Sequence, residues 1–349
     1  MRLIVPMGGR GTRLRPLSHT TPKALLPVAG RPAIARTLEA FEDALARPVD
    51  EAVFVLGPAD RHTDVPDRLR EACRAAGVGA SFATQEAPLG TAHAIGCAGD
   101  KLEGEVLTVW SDTLFRARGP ADLSGAPDLV AWTLEVADPR RFGVVARAEP
   151  PAGGERGQIT GLIEKPPDAR FTEALIGPYY VRDGAALRRV IEEMLASGAT
   201  GAGGEYQLTD AYDRLVRAGA RAHTEPVAEW LDVGTVPAYL DAVARTLDRE
   251  GGAPHLPGVT VRPPVYVSPE ARVTGGTLGP YAAVEAGAAV SGSTLATAVV
   301  FGGARVEDSR LDGAVLGHRA VASGAEGSVL LGDDASAGVP LAARGPTEA

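Results

Sequence analysis

Apolar residues open the chain as a short block, Leu3-Ile4-Val5, which reads as a strand feeding a polar, glycine-rich loop. Pro32 then opens a stretch with Ile34, Leu38, Phe41 and Leu45 at helical spacing, and Pro48 closes it. Strand-like Ala52 to Leu56, helical Pro66 to Ala76, strand-like Ala80 to Thr84, helical Thr91 to Ala98 and strand-like Val106 to Trp110 follow in alternation. That rhythm predicts an α/β fold with a mostly parallel sheet, helices on both faces and ligands beyond the carboxyl ends of the strands. A second half runs from Asp128 to about Arg249, with strands near Leu129 to Val136, Gly143 to Arg147 and Tyr179 to Val181. Leu187, Val190, Ile191 and Leu195 mark one helical face there, and Leu208, Ala211, Tyr212, Leu215 and Val216 another; both read as core.

Gly251-Gly252-Ala253-Pro254 breaks this pattern, and helical periodicity then gives way to Val, Leu and Gly at short regular intervals. Val267, Val284, Val300 and Leu316 recur at about 16 or 17 residues, and Val273, Val290, Val306 and Val321 form a second series in parallel register. Such a coil length predicts a β-solenoid that stacks its apolar positions into a continuous column. The regular arrival of apolar residues argues against a disordered Gly/Ala-rich tail.

Composition narrows the chemistry. With 349 residues and 45% apolar content the chain can build a core and exceeds one typical domain. A net charge of -9 disfavours a broad nucleic-acid or anionic-membrane surface, so affinity for an anion must come from a local cluster. Cys73 and Cys97 fall in segments read as helical, where small buried hydrophobes are ordinary, and no disulfide is expected. The chain has no basic region leading an apolar run of signal length and no apolar stretch of about 18 residues, so a cytoplasmic location and no membrane partner are expected.

The first loop, Met7-Gly8-Gly9-Arg10-Gly11-Thr12-Arg13-Leu14-Arg15-Pro16, has the makings of a phosphate cradle. Its glycines let backbone N–H groups approach an anion, while Arg13 and Lys23, in Thr21-Pro22-Lys23-Ala24-Leu25-Leu26-Pro27, add positive charge. The run matches neither the Walker loop nor the dinucleotide fingerprint. It closely resembles the signature of the sugar-1-phosphate nucleotidyltransferases, also called nucleoside-diphosphate-sugar pyrophosphorylases.

That resemblance implies a Rossmann-like catalytic domain over residues 1–250, a linker at 251–258, a left-handed parallel β-helix of hexapeptide-like repeats at 259–340 and a tail at 341–349. It assigns Gly8, Gly9, Gly11 and Thr12 to the nucleotide, with Gln85 and Gly90 of Gln85-Glu86-Ala87-Pro88-Leu89-Gly90-Thr91 as the base-reading loop. An amide matches the imide edge of uracil or thymine, which points to a pyrimidine. Asp112, after Leu107-Thr108-Val109-Trp110-Ser111, and Asp232, in Trp230-Leu231-Asp232-Val233-Gly234-Thr235, correspond to the family's metal-binding aspartates, with Mg²⁺ as the cofactor. Ser111 stands where the family usually has Gly.

Glu164-Lys165-Pro166 resembles the sugar-phosphate clamp, Lys165 gripping phosphate and Glu164 accepting from sugar hydroxyls. Phe142-Gly143-Val144 resembles the family's Tyr-Gly-Val element, and Tyr179 follows Ala174-Leu175-Ile176-Gly177-Pro178, where many relatives carry Asn before the Gly. Gly143 and Tyr179 are thereby assigned to the sugar. Arg13 would offset charge on the leaving pyrophosphate, and Lys23 would act near the attacking and α-phosphates. His93 is expected to face helix packing or solvent, and Glu205 to favour a helix start.

The activity implied is nucleotidyl transfer from a triphosphate, dTTP or UTP, to a sugar-1-phosphate, glucose-1-phosphate being favoured. Guanylyl transfer to mannose-1-phosphate is an alternative, and a non-catalytic sugar-nucleotide sensor is an alternative of another class. A third reading makes the repeats an acyltransferase with His318 as base. The expected role of the repeats is instead to mediate contacts in a homo-oligomer.

Overall fold

A computed structural model describes residues 1–9, 11–149 and 157–338. Contacts divide the chain into two units, one formed by Met1–Gly9 and Ile34–Trp230, the other by Arg10–Ala33 and Leu231–Ala349. Along the chain come β1 (Arg2–Pro6), a two-residue hairpin β2 (Pro27–Val28) and β3 (Arg31–Pro32), α1 (Ala33–Leu45), β4 (Glu51–Leu56), α2 (Val65–Ala75), β5 (Gly79–Thr84) and α3 (Thr91–Gly96). Then follow β6 (Val106–Thr108), β7 (Thr113–Ala117), β8 (Leu129–Glu135), β9 (Gly143–Arg147), β10 (Ile159–Glu164) and β11 (Glu173–Val181). The elements α4 (Gly184–Ser197), α5 (Leu208–Arg217), β12 (Ala222–Asp232) and α6 (Val236–Glu250) complete the part before the repeats.

In the first unit β5, β4, β1 and β6 lie side by side and pair in parallel. β11 joins β6 and β8 antiparallel, and β12 pairs with β8 in parallel. Successive residues of a strand point to opposite faces, so β8 shows how both faces are filled. Leu129 and Ala131 join a core with Ala92 and Ile95 of α3, Leu187 and Ile191 of α4, and Tyr212 of α5. Trp132, on the other face, meets Phe41 of α1 edge-on with ring centroids 5.7 Å apart, and Phe41 meets Phe115 at 5.1 Å. This is the doubly wound, mostly parallel α/β arrangement that the alternation predicts.

Several strands escape that prediction. β11 begins at Glu173, well before Tyr179, because Gly177-Pro178 is absorbed as a register shift between Leu175 and Tyr179 instead of ending a strand. β12 carries His223, Glu225, Pro226 and Glu229, which mask its strand character. Cys73 is buried in α2 and Cys97 half-buried after α3; both are free, and burial pushes the Cys73 thiol up to about 12. No helix of the described residues is long and apolar enough to cross a membrane.

In the second unit α6 is capped by Thr235, whose hydroxyl accepts from the Ala238 N–H at 3.3 Å. Beyond it short strands pair in parallel as a β-helix. Val267 pairs with Val284, Val284 with Val300 and Val300 with Leu316, as the period predicts, and Leu316 pairs with Leu331 in the next coil. The second column runs Val273, Val290, Val306 and then Ala322, so the expected Val321 is corrected by one residue. Ala322 is fully buried and Val321 half-buried, because one step along a strand turns a side chain to the other face. A buried ladder of serine hydroxyls supports the corners: Ser293 Oγ accepts from the Ser309 N–H at 3.0 Å, and Ser309 Oγ from the Ala325 N–H at 3.1 Å.

The corrected register has a measurable consequence. Val306→Ala should cost about 2 kcal/mol in urea unfolding, by removing buried methyl groups, whereas Val321→Ala should cost under about 1 kcal/mol. Equal losses would place the column at Val321 after all.

Candidate active site

Because β5, β4, β1 and β6 run in parallel, the loops that leave their carboxyl ends share one edge of the sheet. Met7-Gly8-Gly9 follows β1, Gln85 follows β5 and the turn holding Asp112 follows β6. Gly8 and Gln85 touch: a side chain at position 8 would meet Gln85 Oε1 at 2.6 Å. Gln85 is itself buried, and its Nε2 donates to the Gly90 carbonyl at 3.2 Å and lies 3.0 Å from His93 Nδ1. Against the expectation of packing or solvent, His93 engages the Gln85 amide, because its place in the first turn of α3 turns the ring toward the end of β5. With both amide protons engaged, Oε1 is the acceptor turned toward Gly8.

Gly90 holds this loop in place. Its φ of 122° is one that L side chains rarely adopt, and a Cβ there would lie 2.5 Å from the Tyr206 carbonyl oxygen and 2.6 Å from its nitrogen. Tyr206 in turn donates its N–H to the Leu89 carbonyl at 3.0 Å, and its own carbonyl accepts from the Ala92 N–H at 2.8 Å. Glu205 precedes the cap residue Gln207 and accepts from its amide at 3.3 Å, while the first-turn acid of α5 is Asp210.

A second cluster gathers where β9, β10 and β11 meet. Gly143 pairs with Glu164 on one side and Leu175 on the other. Glu164 Oε2 accepts from the Thr209 hydroxyl at 2.7 Å, and Oε1 lies 3.8 Å from Lys165 Nζ. Lys165 has a left-handed φ of 47° and its side chain is about half exposed, with relative accessibility 51%. Burial pushes the Asp210 carboxyl up, with the Glu164 and Asp213 charges adding to the effect. Tyr179 stays in the core, its ring centroid 4.4 Å from that of Tyr212, whose hydroxyl pairs with Thr108 at 2.7 Å. Burial, then Tyr212 and Glu164, raise the Tyr179 phenol well above its ordinary value.

Asp112 sits in the tight turn after β6, where the Thr113 N–H donates to the Trp110 carbonyl at 3.2 Å. Gly177, at the irregularity of β11, lets the chain lie against Trp110: a Cβ there would be 2.5 Å from the indole.

In the second unit the signature segment folds into three short 3₁₀ turns, at Thr12–Leu14, Leu17–His19 and Lys23–Leu25. Ser18 Oγ donates to the Gly11 carbonyl at 2.7 Å, and the Lys23 stem lies 3.3 Å from where a Cβ on Gly11 would be. Arg13, Asp232 and Gly234 form a further group. Asp232 Oδ1 accepts from the Gly234 N–H at 2.7 Å, and a Cβ on Gly234 would stand 3.3 Å from Arg13 Nη2. Among the described residues no group of three or more His, Cys, Asp or Glu gathers as a metal site. Single aspartates from separate segments suit a hard divalent ion that completes its shell with water and phosphate oxygens. His318 has its Nδ1 3.3 Å from the Gly302 carbonyl and its ring edge-on to Phe301 at 5.3 Å.

Sequence reasoning missed Thr209, Ser18, Trp110 and the Tyr206 backbone as partners of these groups. Thr209 and Asp213 carry a helical signal, four residues apart on the face of α5 that meets β10: Asp213 Oδ1 accepts from the Leu162 N–H at 2.9 Å. Tyr206 meets Gly90 across a long stretch of chain and leaves no local signal.

Comparison with known proteins places these features in context. Residues 3–249 match the family described as Nucleotidyl transferase. The glucose-1-phosphate thymidylyltransferase of Streptomyces griseus is 27% identical, the match covering 97% of this chain and 99% of that protein. The mannose-1-phosphate guanylyltransferase of Mycobacterium tuberculosis is also 27% identical, over 87% of this chain and 80% of that protein. The crystal structure of a UDP-glucose pyrophosphorylase complexed with UDP-glucose superposes with a TM-score of 0.58 at 21% identity, over 71% of this chain and 98% of that one. The mostly parallel sheet agrees with this company.

The loop geometry sets opposite expectations for two glycines. Gly90→Ala should lower unfolding free energy by about 2 kcal/mol or more, from backbone strain and the Tyr206 clash. Gly9→Ala, whose added Cβ would meet none of the described residues within 4 Å, should stay within about 0.5 kcal/mol. Thermal or urea unfolding of the two variants checks both, and equal stability would remove the close approach at Gly90.

Proposed function

Because the chain belongs to the nucleotidyl transferase family, we propose that this sugar-1-phosphate nucleotidyltransferase couples dTTP or UTP to glucose-1-phosphate in the cytoplasm, giving an NDP-glucose and pyrophosphate. The observation that carries this reading is the end-to-end likeness to a glucose-1-phosphate thymidylyltransferase, repeats included. Gln85 supports the base. Its Oε1 acceptor favours a base with a ring N–H, as in thymine and uracil, over adenine or cytosine, whose corresponding ring nitrogens accept. Guanine carries such an N–H too, so GTP with mannose-1-phosphate is the second reading.

In this reaction a phosphate oxygen of the sugar-1-phosphate forms a bond to the α-phosphorus as the bond to the pyrophosphate oxygen breaks. No covalent nucleophile on the protein is needed, but two anions must approach, so positive charge and N–H donors do most of the work. Gly8, Gly9, Gly11 and Thr12 would present the triphosphate to backbone N–H groups, and Gly90 would leave room for the base beside Gln85. Arg13 would offset charge on the departing pyrophosphate. Lys23 would lie at the α-phosphate, and Lys165 would hold the sugar phosphate. Glu164, already fixed by Thr209, would accept from sugar hydroxyls next to Gly143 and the Tyr179 region. Asp112 and Asp232 are the ligands assigned to a divalent ion, Mg²⁺, which when bound would cancel polyphosphate charge.

Lys23→Ala or Asp112→Asn should cut turnover about a hundredfold or more while leaving thermal unfolding unchanged. Near-wild-type pyrophosphate release from both would remove the site assignment. A panel of dTTP, UTP, GTP and ATP against glucose-, mannose- and N-acetylglucosamine-1-phosphate should give the highest kcat/KM for a pyrimidine triphosphate with glucose-1-phosphate. A preference for ATP would overturn the role of Gln85, and GTP with mannose-1-phosphate would select the second reading.

A further inference from the structure

Within the second unit, the segment bearing Arg13 and Lys23 is held by the β-helix. Val284, Val300, Leu316 and Leu331 stack in register, so the residues that follow them, Glu285, Phe301, Gly317 and Gly332, line one corner of successive coils. The ladder continues through that corner, with the N–H groups of Glu285, Phe301 and Gly317 donating to the carbonyls of Val300, Leu316 and Leu331. This corner meets the signature segment at several points. The Gly30 N–H donates to Glu285 Oε1 at 3.1 Å, and a side chain on Gly30 would strike the Tyr266 ring. Thr20 Oγ1 donates to Asp333 Oδ2 at 2.7 Å, while Asp333 Oδ1 accepts from the His318 N–H at 2.7 Å. A Cβ on Gly332 would lie 3.0 Å from the Pro16 ring. Phe301, fully buried, packs against Tyr239 of α6 with centroids 6.5 Å apart, and the Tyr239 hydroxyl donates to the Pro27 carbonyl.

These anchors bracket Lys23 and begin just after Arg13. Lys23 lies between Thr20 and Pro27, and Arg13 stands just ahead of Pro16. The 3₁₀ turns that carry them are only three residues long, so contacts outside the turns help to set where the side chains stand. Glu285 is only 8% exposed, so its carboxylate is a fixed acceptor and not a solvated surface acid.

We propose that Glu285, Tyr266 and Asp333 of the β-helix are positioning residues for the signature segment, so that the repeat domain forms part of the catalytic apparatus. This rests on the reading of Arg13 and Lys23 given above. A displacement of about an ångström in a charged group that acts on the reacting phosphates can cost about a hundredfold in rate without unfolding anything. The contacts made by Glu285 and Asp333 are of the kind that prevent such a displacement.

The test is steady-state kinetics of the full chain with Mg²⁺, dTTP and glucose-1-phosphate, or the best pair from the panel, well below the unfolding temperature of every variant. Glu285→Ala and Asp333→Ala should each lower kcat about 10- to 100-fold, with KM for both substrates within about threefold. Glu285→Gln keeps an acceptor oxygen for the Gly30 N–H and should restore kcat to within about threefold. Thr20→Val combined with Asp333→Ala should be no slower than Asp333→Ala alone, since both remove one contact. Val306→Ala, inside the same β-helix and away from the segment, should lose stability yet keep kcat. Either of two results overturns the proposal: anchor variants with kcat within twofold of wild type, or a Val306→Ala loss in kcat equal to theirs. Lys23→Ala separates the two levels of the argument. If it is inactive while the anchor variants turn over normally, positioning alone falls; if it turns over normally, the role given to the cations falls and the positioning inference falls with it.

Discussion

Parallel pairing of β1 with β4 on one side and β6 on the other is the constraint on which the first unit depends. It sends the loops after β1, β5 and β6 off the same edge, and with them Gly8, Gln85 and Asp112. Leu3, Ile4 and Val5 are all fully buried, because a parallel strand at the centre of a doubly wound sheet has core on both faces. A slip of one residue would exchange those faces and turn the glycine loop away from Gln85. The apolar block therefore specifies a position as well as a strand.

Charge is handled locally. The chain as a whole is acidic, yet Arg13, Lys23 and Lys165 each come from short segments set by close backbone contacts. Glu164 is fixed by Thr209 on one oxygen and faces Lys165 with the other, so its geometry is set by its neighbours. Asp232 is likewise fixed by the Gly234 N–H beside Arg13. In each case the group that would meet substrate is held by a neighbour that would not. The β-helix extends the same principle to a whole segment, since its corner column meets residues 16 to 30 through Pro16, Thr20 and Gly30. A solenoid suits this task because each coil repeats the same corner at a fixed spacing, presenting a straight row of anchors.

Legibility follows the range of each signal. The helices with Phe41 and Tyr212 and the coils through Val284 and Val300 can be read because their apolar residues recur within a few turns or one coil. β11 is legible only from Tyr179, since Gly177-Pro178 looks like a strand end and only pairing with β8 shows it as an irregularity. The period points to Val321 in place of Ala322 because spacing alone cannot tell which of two neighbours faces inward when one is small. Among the candidate residues, the glycines, Gln85 and the two aspartates are visible as motifs, whereas the surroundings of His93 and the partner role of Thr209 are not. Their partners lie on other strands.

The sequence by itself determined the alternation of strand and helix, the change to a repeating coil after Gly251 and the order of the glycine-rich and carboxylate motifs. These are local patterns of side-chain spacing, and spacing is what a chain carries before it folds. Only the tertiary structure decided which groups meet: Gln85 with His93, Glu164 with Thr209, Gly30 with Glu285. Thr20 and Asp333 are 313 residues apart, and no local periodicity relates them. Their hydrogen bond exists because α6 and the stacked coils return the chain to its own beginning.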